Sequence, residues 1–307
     1  MTQSPRAKTR EVRVSELIAD FPTFMAAYEQ APPFSKSGQL ERHRETIQQL
    51  RDHGSVRAAL ADDEFLVSLQ ATLRAWGIGV RASRIAEPDR FVLELRRWTD
   101  ELEVLEQATI QSAGEQERDL VWTLVNQIDI VDNEARLVAM TKTLHHLLPD
   151  LVAPIDRAYT GAFLGWHIPE FQNRQREIFD SAWLAMQRIA ASIPLDQYVG
   201  QAPWNTSITK AIDNALIGYC LEKSLVASSQ PGSGASERDR GTRPVPETSG
   251  PRREQWSISD LEYDLNEFAG VLRAAGLKDA SIDTYVGRSE TFIRWLAGKY
   301  RPKGPNS

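Results

Sequence analysis

The sequence predicts an all-α protein whose C-terminal part is set off by a flexible segment. Three observations carry this. Apolar residues recur every three or four positions through most of the first 225 residues, the spacing of a helix face turned to a core. Clean two-residue alternation with β-branched enrichment is nearly absent, which argues against a sheet. Residues 226–255 (VASSQPGSGASERDRGTRPVPETSGPRREQ) hold four Gly, four Pro and five Ser with no hydrophobic period. That composition is a linker, with a reach on the order of 30 Å as a flexible coil. The division expected is a helical body over 11–225, the linker over 226–255 and a short helical hairpin over 256–307.

Taken in order, helical stripes run through 60–76, 91–105, 120–128, 137–148, 178–189 and 208–221. In the last of these Ile208, Ile212, Leu216 and Tyr219 share one register, and the Asn205-Thr-Ser207 stretch before it supplies an N-cap. Between 76 and 84, Trp-Gly-Ile-Gly-Val-Arg-Ala-Ser-Arg reads as a tight turn between helices. The eight tryptophans fall mostly in helical register and read as core anchors. After residue 256, Ser259 with Glu262 forms a capping box, Gly276 is placed as the left-handed stop, and Asp279 or Ser281 caps a second helix.

At 307 residues, with 41% hydrophobic and 25% charged, the chain can bury a sizeable core. A formal charge of -6 argues against a surface coated in phosphate-binding lysines, so any contact with nucleic acid must be local. The single cysteine, Cys220, excludes an intramolecular disulfide and reads as a buried thiol in a reducing cytoplasm. The chain lacks an apolar run long enough for a membrane span, and its first residues lack the apolar core of a signal peptide, so a cytoplasmic protein of bacterial type, without a membrane partner, is expected.

The richest stretch for chemistry is 140–160, Met-Thr-Lys-Thr-Leu-His-His-Leu-Leu-Pro-Asp-Leu-Val-Ala-Pro-Ile-Asp-Arg-Ala-Tyr-Thr. If Asp132 or Asn133 caps a helix running to Leu148, then Lys142 and His146 lie at i and i+4, on a polar face turned from the Leu144 and Leu147 stripe. Pro149 and Pro154 break the chain, and Asp156 opens the next helix, either as an ordinary N-cap or as a catalytic carboxylate. Adjacent His145 and His146 diverge by about 100° on a helix and do not chelate one metal together. No motif calls for a cofactor or a metal.

Two resemblances follow from these residues. The run LRAAGLKDASIDTYVGRSETFIRWLAG resembles the SAM-like, core-binding domain found at the N-terminus of tyrosine recombinases and phage integrases, through Gly276, Leu277, Ile282, Tyr285, Phe292, Trp295 and Leu296. That resemblance implies DNA contact, for which Arg288, Arg294, Lys299, Arg301 and Lys303 supply a basic edge. No His-x-x-Arg follows and no tyrosine nucleophile with flanking arginines can be assembled, so recombinase catalysis is not implied. The lysine, apolar run, proline and aspartate of 142–156 resemble the helix-hairpin-helix DNA glycosylase superfamily. Carried over, Asp156 would stabilise an oxocarbenium centre and Lys142 would attack the sugar. The segment before that lysine, 129–136, contains no glycine for the family's phosphate-gripping hairpin. The leading expectation is a DNA-associated binding protein working through the C-terminal module. The alternatives are a glycosylase-like enzyme centred on Asp156, Lys142 and His146, and a protein-interaction module without a DNA role.

Overall fold

The computed structural model describes residues 5–33, 38–79, 84–133 and 136–226, together with separate positions between 258 and 297. The protein is all-α, as its periodicity predicts; the β-structure among the described residues is one isolated antiparallel bridge, Ile85 to Val131. The chain divides into two compact units, Met1–Ser233 and Gly234–Ser307.

The first unit opens with α1 (Pro5–Ala19) and α2 (Phe21–Gln30), followed by α3 (Gln39–His53), α4 (Val56–Ala61) and α5 (Asp63–Ala75). Gly54, at φ +71°, ends α3 in the left-handed conformation that suits glycine. The stripe over 60–76 is in fact two helices, because Asp62 stops α4 and its carboxylate then accepts the Glu64 N–H at 3.0 Å to start α5. The stripe over 91–105 likewise splits at Trp98 into α6 (Pro88–Arg97) and α7 (Thr99–Leu105). Next come α8 (Glu115–Gln127), α9 (Leu137–Leu147), α10 (Tyr159–Leu164), α11 (Glu170–Asn173) and α12 (Gln175–Ser192). A 3-10 turn (Leu195–Gln197) leads to α13 (Ile208–Glu222), whose N-terminus is capped by Ser207 Oγ accepting from Lys210 N at 3.2 Å.

Helix α9 does not begin at Asp132 or Asn133. Its first N–H, on Leu137, donates to the Gln175 side chain of α12 at 2.9 Å, and Arg136 is tied to Asp129 at 2.7 Å. The partner that caps it is distant in sequence, so no local signal marks this start. Nor does α9 have a solvent face: from Leu137 to Leu147 every residue but Val138 is buried. Such a helix is a central strut, and its polar side chains must find partners inside.

Helices α2 and α13 make the closest pair. Gly218 lies so near α2 that a Cβ there would stand 1.8 Å from the Phe24 carbonyl oxygen. Tyr28, Trp204 and Ile217 form a small apolar cluster beside this contact, with Leu40, Trp76, Tyr159 and Leu221 packed around it. Cys220 is fully buried, and burial pushes its thiol up to about 12.

In the second unit the described positions are helical at Ile258, Leu261, Leu265, Ala269 and Arg273, and again from Val286 to Arg294 at the residues described. Ala269 and Ile293 are buried, whereas Arg294 is exposed. The caps expected at Ser259, Glu262, Gly276, Asp279 and Ser281, the cations Arg288, Lys299, Arg301 and Lys303, and nearly all of the expected linker lie outside the described residues.

Candidate functional site

Lys142 and Asp156 meet. Helix α9 carries Lys142 inward, and the proline-broken segment from Pro149 to Pro154 turns the chain so that Asp156 arrives beside it, with Nζ and Oδ2 3.9 Å apart. The two oxygens of Asp156 have separate tasks. Oδ1 accepts the backbone N–H groups of Ala158 at 2.8 Å and Tyr159 at 3.2 Å, which is the capping role. Oδ2 faces the lysine. The Asp156 N–H donates to Thr160 Oγ1 at 3.0 Å, fixing the turn from both sides.

Lys142 is 7% exposed. Its Nζ donates to the Trp76 carbonyl at 3.2 Å and lies 5.9 Å from the Trp76 ring centroid. Burial drives its pKa below the ordinary lysine range; Asp156 and Asp213 oppose this, while Lys210 and Arg157 reinforce it. Its proton is therefore held less firmly than on an exposed lysine.

A second charged pair faces the same space from α13. Lys210 and Asp213 are 1% and 4% exposed, and Nζ donates to Asp213 Oδ2 at 2.5 Å and to Asn214 Oδ1 at 2.8 Å. Asn214 in turn donates to Asn205 Oδ1 at 2.7 Å. Three rings surround Lys210 Nζ, with centroids at 5.5 Å (Trp204), 5.7 Å (Trp76) and 5.9 Å (Tyr28). Together Trp76, Lys142, Pro154, Asp156, Trp204, Lys210 and Asp213 line a small cavity of about 20 Å³, room for about one water.

His146 belongs to a different arrangement. It shares the Lys142 side of α9, but that side is interior, and the imidazole is fully buried. The Lys142 carbonyl can only accept, so His146 Nδ1 carries a proton and donates to it at 2.8 Å. His146 Nε2 must then accept from His43 Nδ1 at 3.0 Å, which leaves His43 Nε2 to accept from the Thr206 hydroxyl at 2.8 Å. Burial favours the neutral form of His43 and His146 in this relay. Burial, the largest cause, holds His43 and His145 well below the ordinary histidine value and His146 at about 4, and Lys210 pushes all three the same way. His145 donates through Nδ1 to the Val152 carbonyl at 2.9 Å. Among the described residues no group of three or more His, Cys, Asp or Glu side chains is placed to hold a metal ion.

Sequence reasoning paired Lys142 with Asp156 and missed Lys210, Asp213, Trp76 and Trp204 as pocket residues. A signal for the first two is present in Ile-Thr-Lys-Ala-Ile-Asp-Asn-Ala-Leu-Ile-Gly-Tyr-Cys, 208–220. A lysine, aspartate and asparagine at i, i+3 and i+4 interrupt a helix that is otherwise largely apolar. Compared with known protein families, curated proteins and solved structures, the chain matches none.

Proposed function

We propose that the helical unit is a DNA-associated enzyme in which Lys142 acts as an amine nucleophile on the sugar carbon of a nucleotide turned out of its duplex. The observation that carries this is the Lys142–Asp156 pair, 3.9 Å apart in a pocket lined by Trp76 and Trp204. A buried lysine with a second cation nearby is the environment that frees an amine for attack on electrophilic carbon.

In this reaction Nζ bonds to C1′ while the glycosidic bond breaks and its electron pair leaves with the base. The attacking nitrogen sheds a proton and the departing base takes one up. Asp156 Oδ2 stabilises the positive charge that develops at C1′, while Oδ1 keeps the carboxylate in place through the cap. With an abasic sugar the same amine condenses with the ring-opened aldehyde, releasing water and leaving an imine. The exposed Arg294, with Arg288, Lys299, Arg301 and Lys303, is proposed to supply phosphate contacts from the C-terminal module.

Borohydride reduction in the presence of duplex carrying an abasic site tests this reading, because it converts the imine to a stable protein–DNA adduct. The adduct is expected with the native protein and absent with Lys142→Gln. Asp156→Asn keeps a capping oxygen and so should keep the fold, yet slow adduct formation by about 10²-fold through loss of the stabilising charge. The rate should rise with pH, with its midpoint below the ordinary lysine value of 10.5, since burial depresses the Lys142 pKa. An adduct that forms as well without Lys142 removes the amine from the mechanism. For the C-terminal module, replacing Arg294, Lys299 and Arg301 together with Ala should weaken DNA affinity and reduce its salt dependence by about one unit of slope per lost phosphate contact, read by mobility shift across a salt series.

A further inference from the structure

Lys142 Nζ and Asp156 Oδ2 stand 3.9 Å apart, too far for a direct hydrogen bond and a spacing at which a water can join two polar groups. Lys142 has three N–H donors and spends one, on the Trp76 carbonyl at 3.2 Å. Lys210 spends two of its three, on Asp213 Oδ2 and Asn214 Oδ1. Asp213 uses only Oδ2, and its Oδ1 has no hydrogen-bond partner among the described residues. All four side chains line the same cavity of about 20 Å³. A buried pair such as Lys210 and Asp213 is costly unless its remaining protons and lone pairs are also satisfied. The cavity is where that can happen.

We propose that this cavity is the binding site of one ordered water, which accepts from Lys142 Nζ and Lys210 Nζ, donates to Asp156 Oδ2 and Asp213 Oδ1, and joins the two ion pairs into one network. Size sets the occupancy. A water needs about 10–15 Å³ of such space and two to four polar partners, so a cavity of about 20 Å³ holds one and not two. Charge sets the occupant. A cation would meet two lysines and an anion two carboxylates, whereas a neutral molecule with two donors and two acceptors matches all four. The walls are held in place beforehand: Asn214 donates to Asn205 and accepts from Lys210, and Asp156 Oδ1 is fixed by the Ala158 and Tyr159 N–H groups. The four charges already act on one another. Burial lowers the Lys142 pKa and raises that of Asp213; behind burial, Asp156 and Asp213 support the charge on Lys142, and Lys210 and Lys142 support the charge on Asp213. The water gives a proton gained or lost at one pair a hydrogen-bonded route to the other. Such a site requires no reaction at Lys142, so failure of borohydride trapping leaves it standing.

Crystallography of the full chain, at a resolution that shows ordered water, tests this. One water peak is expected in the cavity, within about 3.2 Å of at least three of the four named atoms. An empty cavity in such a map overturns the site, as does a peak that exchanges for bromide on soaking, which marks an anion. The double variant Lys210→Met/Asp213→Leu replaces the pair with apolar groups of similar size, which buried pairs often tolerate, and should keep its helical circular dichroism while losing the water. A folded double variant that keeps the water in the same place overturns its role as a bridge. If that variant does not fold, the map of the native protein decides. The joining of the two pairs is read from the carbon-13 resonance of Lys142 Cε against pH. In Asp213→Asn, which keeps the side-chain shape and an acceptor for Lys210, the Lys142 midpoint should fall by about one pH unit, because a carboxylate that supports its charge is gone. A Lys142 titration that is the same in both proteins overturns the coupling.

Discussion

Replacing Gly218 with alanine should leave little folded protein. The added Cβ would lie 1.8 Å from the Phe24 carbonyl oxygen, 2.8 Å from its carbon and 3.1 Å from the Tyr28 nitrogen. All three are backbone atoms of α2, so no side-chain rotation relieves the contact and the two helices must separate. Separation opens the packing around Phe24, Tyr28 and Ile217, which are 3%, 1% and 0% exposed. Ordinary overpacking costs about 1–3 kcal/mol where side chains can shift. Here the cost should exceed about 4 kcal/mol, a large share of the roughly 5–15 kcal/mol that holds a protein folded. The same change at Gly287, a helical position with nothing within 4 Å of the added carbon, should be neutral or stabilising by about 0.5–1 kcal/mol. Thermal melts of the two variants check this; Gly218→Ala melting within about 5 °C of the native protein would contradict the close approach of α2 and α13.

Acidification below about pH 6.5 should destabilise the helical unit steeply. His43, His145 and His146 are all fully buried, and burial holds each neutral. The sign follows from proton binding. Below the ordinary histidine value of 6.5 the unfolded chain takes up protons that the folded protein refuses until pH falls to about 4 at His146. Stability is therefore intact above 6.5 and is lost as pH falls through that window. His146 alone accounts for about 3 kcal/mol by pH 4, and the other two act in the same direction. Denaturant midpoints between about pH 7 and pH 4 measure the slope, and His146→Gln should flatten it. A stability that does not change over this range would mean that the imidazoles are not buried as neutral groups.

The helical class was legible because a core face repeats every three or four residues whatever the tertiary arrangement. Boundaries were less so. Asp62 divides the stripe over 60–76 by capping α5 with its own side chain, a local signal that was open to reading. The start of α9 was not, since Gln175 of α12 supplies its cap. At the site, the pairing of Lys142 with Asp156 came from the glycosylase resemblance; helical phase and the two prolines only allowed the face bearing Lys142 to look toward the aspartate. Phase also placed His146 on the same side as Lys142, but phase does not distinguish a polar face in water from one inside the protein. Only the packing of α3 and the Thr206 segment against α9 makes that side an interior. Lys210 and Asp213 were passed over because the apolar register around them reads as core, and they are indeed buried there, as a charged pair turned to a cavity.

The ordered chain from Thr206 through His43 and His146 to the Lys142 carbonyl has a consequence for when the site comes into being. His43 and His146 are 103 residues apart in sequence, and His43 and Thr206 are 163 apart. Contacts of such separation form late, because loop closure must come before they can be made. A nascent chain released through α9 already holds Lys142, yet its amine is solvated and ordinary until α13 docks with Lys210 and the Trp204 wall. The reactivity of one lysine would then time the closure of the whole unit, and the rate at which a small amine-selective reagent labels Lys142 during refolding should change from that of an exposed lysine only when α13 docks.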